Sequence, residues 1–353
     1  MATENRAESK TTEEKTSTGA EQESERVPEV ESRSALARWF PCLTPGLAAL
    51  VATGVAALLS LQIRLPKISA ADFTPEIPEQ VRVAGDIAGR IAWGGLSFLF
   101  VAIAVLTLAI SCKIFWTCTG QYPKAQRERY RRHSLILWFA LVVTMVAFHQ
   151  LRVRGQMLDG FHEGHYSVLA HYTHELAIET FSDVSRSLQV VLLVAVAAQA
   201  LAFSSLLFPN GGHLPPAALV RRKAEAARML YTSALFLTIG MLVVYALFDW
   251  PAYFFVKNGS GVDLSTHLAA IHRIALSLAL GMGMFFSVIL ACAYLPTSAL
   301  LNRRLIALGV ADEEVEDKDL KIILARTLAI LAPLLAALVG GPAKDLVVGL
   351  TGS

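Results

Sequence analysis

Residues 91–111 read IAWGGLSFLFVAIAVLTLAIS, a stretch with no charged side chain. Wound as an α-helix at about 1.5 Å per residue, a segment of this length reaches about 30 Å, the thickness of a bilayer's hydrocarbon layer. Backbone groups in lipid must be satisfied internally, and a helix does this within one segment. The run therefore predicts a membrane-spanning helix.

Comparable runs recur on both sides of it. They are Gly46–Ile63, Leu135–Leu151, Leu188–Phe208, Leu230–Phe255 and Ile274–Leu301. Leu, Ile, Phe and Val each favour insertion by about 0.3–0.6 kcal/mol. The longer runs should insert unaided, whereas Gly46–Ile63 and Leu135–Leu151 are marginal. The fold class that follows is all-α, a multi-pass transmembrane bundle of six spans. A further apolar stretch, Leu320–Val339, contains Arg326 and is divided by Pro333. An Arg in lipid costs about 2.5–3.5 kcal/mol. This stretch is expected to pack at the inner membrane face or against the bundle, with a seventh crossing as the alternative.

The totals agree with these windows. The 353 residues are 54% hydrophobic and 17% charged, with a mean hydropathy of +0.50. Soluble domains carry roughly 25% charged residues. A soluble enzyme, a nucleic-acid-binding domain and a disulfide-rich secreted module are all excluded as readings. Cys42, Cys112, Cys118 and Cys292 match no zinc or CxxC spacing, so they read as small apolar fillers.

The chain divides into three regions. Residues 1–40 hold nine Glu and six Lys/Arg, and residues 1–35 lack the apolar core of a signal peptide. They predict a disordered acidic tail. Residues 41–301 form the six-span region, with helical outer loops expected at 64–90 and 152–187. Residues 302–353 form a linker and the apolar helix 320–339.

Basic residues set the expected orientation. Lys113, Lys124, Arg127, Arg129, Arg131 and Arg132 crowd residues 112–134, and Arg221, Arg222, Lys223 and Arg228 crowd 209–229. The positive-inside rule places these loops and both termini in the cytoplasm. A cell membrane, specifically a bacterial inner membrane, is the expected location. The lipid bilayer is then the chief partner. Arg127, Arg129, Arg131 and Arg132 are candidates for anionic head groups. Protein partners could dock on the tails, and no nucleic acid is expected.

Histidines concentrate on the expected outer side. On a helix, His171, His174 and Glu175 stand at i, i+3 and i+4, about 5–6 Å apart on one face. Two imidazoles and a carboxylate so placed could ligate a divalent metal. His162-Glu163-Gly164-His165 is one residue short of the zincin motif, which argues against a metalloprotease. No cofactor is otherwise expected.

Asp249 is the one acid inside an apolar run, and an intramembrane acid needs a partner. His149 and Arg152 come at matching depth, and His272 opens the sixth run. His162, His165, His272 and Arg152 are the polar candidates on the outer face. Gln199 is the other intramembrane polar candidate, alongside Asp249 and His149.

These residues leave three functional readings. The first is a non-catalytic assembly, sensing or effector component. The second is a metal-binding protein or enzyme with an outward His/Glu site. The third is a small channel or transporter. A channel requires Gln199 and Asp249 on one polar path, whereas a scaffold requires them packed singly.

Overall fold

A computed structural model describes residues 79–154, 175–208, 215–255, 265–309 and 320–351, all within the compact unit Pro41–Ser353. The first apolar run, Gly46–Ile63, lies outside the described residues. The described chain forms α1 (Glu79–Gly120), α2 (Lys124–Arg154), α3 (Glu175–Leu206), α4 (Pro216–Asp249), α5 (Ser265–Ala307) and α6 (Leu320–Thr351). No strand occurs among the described residues. The protein is a multi-pass, all-α integral membrane protein.

Among the described residues, five segments are long and apolar enough to cross a bilayer: Val83–Gly120, Asp183–Leu206, Pro216–Tyr253, Ile271–Ala307 and Lys321–Val339. The run Leu135–Leu151 is helical throughout as part of α2. Several helices outrun the lipid. The 42 residues of α1 measure about 60 Å, so its ends reach beyond the apolar layer.

The helix ends follow local chemistry. Pro215 is extended and Pro216 opens α4, where the missing N–H costs nothing. Pro251 halts α4 because it has no N–H to donate to the carbonyl four residues earlier, although Trp250 before it keeps helical angles, φ −52° and ψ −44°. The chain tightens there into a 3-10 turn, Trp250–Phe255. Between α1 and α2 the turn is short, and Pro123 accepts the first α2 bond from Arg127 N at 2.8 Å. At the end of α5, Gly309 adopts φ 68° and its N–H donates to the Ile306 carbonyl at 3.0 Å. That is the left-handed stop for which glycine carries no Cβ penalty.

The helices are apolar on both faces, unlike those of a soluble protein. The buried face of α1 runs Trp93, Ser97, Phe100, Ala104, Thr107, Ser111 and Cys118, a helical spacing. Its other face exposes Ile91, Phe98 and Val105, as a lipid-facing surface does. The middle of the bundle belongs to α4, which packs against α1, α5 and α6. The most apolar window of α4 is 67% buried, against 11% for α6. α6 is thus a peripheral helix.

The seventh apolar stretch, treated above as a helix at the membrane face or against the bundle, packs on α4 and α5 and has the length to cross. Ala329, Pro333 and Ala337 form its buried stripe. Such small contact residues let helix backbones approach closely in lipid. Opposite them is Gly283 of α5, where an added Cβ would come within 2.7 Å of the Pro333 carbonyl oxygen. Arg326 lies one turn before Ala329 and is half-buried on the bundle side. An arginine facing protein, near a helix end, avoids much of the cost counted for one facing lipid.

Candidate functional site

Polar chemistry collects at the two ends of the bundle. At one end, α4 terminates in Asp249, which is only 2% exposed. The second turn of α5 brings His272 to it, with Nδ1 2.5 Å from Asp249 Oδ1. Burying a carboxylate is costly unless it is paired and hydrogen-bonded. His272 supplies that partner, while its own side chain stays 30% exposed.

The aromatic residues beside the pair complete the end. Trp250 follows Asp249 directly, and its ring lies 6.2 Å from that of Trp93 on α1. Gly89 makes the room: a Cβ there would meet the Trp250 ring at 2.1 Å. One helical turn earlier, Asp86 accepts from Arg90 Nε at 2.8 Å. Half-buried Tyr253 lies within electrostatic reach of Asp249. The pair therefore ties α4 to α5, and the adjoining indole ties both to α1.

At the opposite end, three side chains converge on the last carbonyls of α3. Arg222 of α4 is 1% exposed. Its guanidinium donates to the Leu206 carbonyl at 3.3 Å, to Gln121 Oε1 at 2.9 and 3.2 Å, and to Tyr122 Oη at 3.2 Å. Arg304 of α5 donates to the Leu207 and Phe208 carbonyls at 3.0 and 3.3 Å. Tyr122 also donates to the Phe208 carbonyl, at 3.3 Å. A helix C-terminus leaves carbonyls without intrahelical donors and carries roughly half a negative charge. Two guanidiniums answer both needs. No carboxylate pairs with Arg222 among the described residues, so hydrogen bonds and the helix end are what hold its charge.

Arg222 was read in the sequence only as a topological charge. Its helical phase carried the missing signal. Leu219, Arg222, Ala226, Met229 and Ser233 all lie on the buried side of α4, so Arg222 belongs to the inward stripe.

The other polar candidates fall out as follows. Gln199 is 6% exposed and its Nε2 has no hydrogen-bond partner. Leu206 and Arg222 share a depth through their hydrogen bond. From that level Gln199 is about 10 Å along α3 and Asp249 about 40 Å along α4, so the two stand on the order of 30 Å apart. Ser111 and Ser233 lie near the depth of Gln199, also buried and without a partner. The four arginines of α2 do not form one patch. Arg127 and Arg131 turn toward the bundle, whereas Arg129 and Arg132 are exposed.

Several candidates lie outside the described residues: His162, His165, His171 and His174. The same holds for the side chains of His149, Arg152 and Glu175, whose backbones belong to α2 and α3. Among the described residues no group of three metal-ligating side chains occurs. No family model, no curated protein and no solved structure matches the chain.

Proposed function

We propose that the protein is a non-catalytic component of a membrane assembly. The observation behind this reading is the use made of Asp249. The intramembrane acid is bound to His272 of the neighbouring helix, on the order of 30 Å from Gln199. A conduction path wants polar groups in series near the midplane. Here the charged groups sit at the helix ends and hold helices together. Such a bundle is a rigid platform whose outer faces and terminal segments remain for partners. In this reading the basic end faces the cytoplasm, as basic loops do.

Flux and cross-linking test it. Vesicles carrying the protein should leak protons and potassium no faster than empty ones, and Asp249→Asn should change nothing. Cross-linking in native membranes should trap a discrete larger species. A flux that falls in Asp249→Asn or Gln199→Leu would give the function to a channel. A lone monomer at every cross-linker concentration would remove the assembly role.

A second reading draws on His272 itself. Tying Nδ1 to a buried carboxylate leaves the other nitrogen of a part-exposed ring, the arrangement that orients metal-binding imidazoles. Elemental analysis of purified protein separates the readings. A stoichiometric metal lost in His272→Ala would favour the second, and its absence the first.

A further inference from the structure

The first turns of α2 carry two arginines that the bundle does not neutralise. Tyr130 and Ser134 mark the inward face of this segment, since Tyr130 stacks on Phe208 at 5.4 Å and Ser134 is buried. Arg127 and Arg131 flank that face four residues apart, so their side chains are neighbours. Arg131 donates to Thr119 Oγ1 at 3.0 Å, and its guanidinium lies 4.0 Å over the Trp116 ring. Arg127 Nε is buried and makes no hydrogen bond. Neither guanidinium meets a carboxylate among the described residues. The adjacent acid, Glu128, points to the exposed side, and Glu225 is paired with Arg228. Lys113, Lys124, Arg129 and Arg132 add only positive charge around them.

Like charges at this spacing repel. Burial and then Arg127 each lower the hold of Arg131 on its proton relative to an ordinary guanidinium. An anion between the two would relieve both effects. Trp116 is 50% exposed at the end of an apolar span, the level at which tryptophans meet lipid head groups. Below the arginines, Leu135 and Phe139 continue the line at four-residue steps and are exposed.

We propose that Arg127 and Arg131 clasp the phosphate of an anionic phospholipid, with Trp116 at its glycerol and an acyl chain along Leu135 and Phe139. Guanidinium forks match phosphate oxygens in pairs, which ammonium groups cannot do. The net positive surroundings favour an anionic lipid over a zwitterionic one, whose own ammonium would be repelled.

The test is native mass spectrometry of the full chain from micelles holding phosphatidylglycerol and phosphatidylcholine in equal amounts. The wild type should retain phosphatidylglycerol preferentially. Arg127→Gln breaks no side-chain hydrogen bond among the described residues, so the fold should survive, and the preference should fall roughly fivefold. Arg127→Gln/Arg131→Gln should abolish it. Arg129→Gln/Arg132→Gln, which removes the same charge from the exposed side, should leave it largely intact. Equal losses in the two double variants would overturn the site in favour of diffuse charge. No preference in the wild type would also overturn it. Displacement by millimolar inorganic phosphate would reassign the cleft to a free anion.

Discussion

Alanine at Gly283 and alanine at Gly281 should have opposite effects. A Cβ on Gly283 would stand 2.7 Å from the Pro333 oxygen, 3.0 Å from Leu334 Cα and 3.1 Å from the Pro333 carbonyl carbon. All three are backbone atoms of α6 and cannot swing aside as a side chain would. Ordinary contact begins at 3.4 Å, so α5 and α6 would have to part by about 0.7 Å at this point. Overpacking of this kind costs roughly 1–3 kcal/mol. Against that, alanine is favoured over glycine in a helix by about 1 kcal/mol. At Gly281 nothing lies within 4 Å of the added methyl. Only the helix-forming gain remains there.

The pair of variants therefore isolates the α5–α6 contact from backbone propensity. Gly281→Ala should be neutral or stabilised by about 1 kcal/mol. Gly283→Ala should lie roughly 1–3 kcal/mol below it. The assay is thermal unfolding in one detergent, followed by intrinsic fluorescence and by loss of the monodisperse peak. A lipid-exposed α6 with no seat on Gly283 makes the two variants alike. Coincident melting curves would thus refute the placement of α6 against the bundle.

The other predictions concern the two polar ends and the midsection. Gly89→Ala would put a Cβ 2.1 Å from the Trp250 ring and should displace the indole, cost roughly 1–3 kcal/mol and shift the tryptophan emission. Asp249→Asn retains an acceptor for His272 Nδ1 and should cost less than His272→Ala. The latter takes the His272 partner from a buried carboxylate and should cost up to roughly 3–5 kcal/mol, readable as a lower melting temperature. Arg222→Met should cost about 1–3 kcal/mol by leaving Gln121 and the Leu206 carbonyl without their donor. Arg222→Lys should not restore it, because an ammonium cannot span the same set of acceptors. Gln199→Leu removes a buried amide whose Nε2 has no hydrogen-bond partner and should be neutral or stabilising by the same melting assay.

Much of the architecture was legible because lipid imposes one requirement on every span. Runs such as 91–111 and 188–208 announce themselves by length and lack of charge. Asp249 was legible for the same reason, since one acid in an apolar run cannot be idle. Its partner was not. His149, Arg152 and His272 share its depth in the sequence, and depth says nothing about which helices are neighbours. The packing of α4 on α5 selects His272. Arg222 and the division of Arg127 and Arg131 from Arg129 and Arg132 depend on helical phase, which a count of loop charges discards. In the seventh stretch, the cost of Arg326 was reckoned for a lipid-facing side chain. On α6 it shares the bundle side with Ala329 and Pro333.

That placement bears on which side the C-terminus occupies. The ends of α1, α3 and α5 meet the start of α4 around Arg222 and Arg304, so successive helices alternate in direction. α6 follows α5 after twelve residues, 308–319, starting from that same basic end. Twelve residues reach at most about 40 Å, most of which a crossing of about 30 Å would consume. If Lys321–Val339 crosses, residues 340–351 emerge beside the Asp249–His272 end, and the termini lie on opposite faces when Gly46–Ile63 and Leu135–Leu151 cross too. A protease site or a cysteine label placed after Thr351 decides this in sealed vesicles. Modification from the same side as a label in residues 112–134 would leave α6 on the membrane face. Modification only from the other side makes it the seventh span, with the Gly283 contact as its seat.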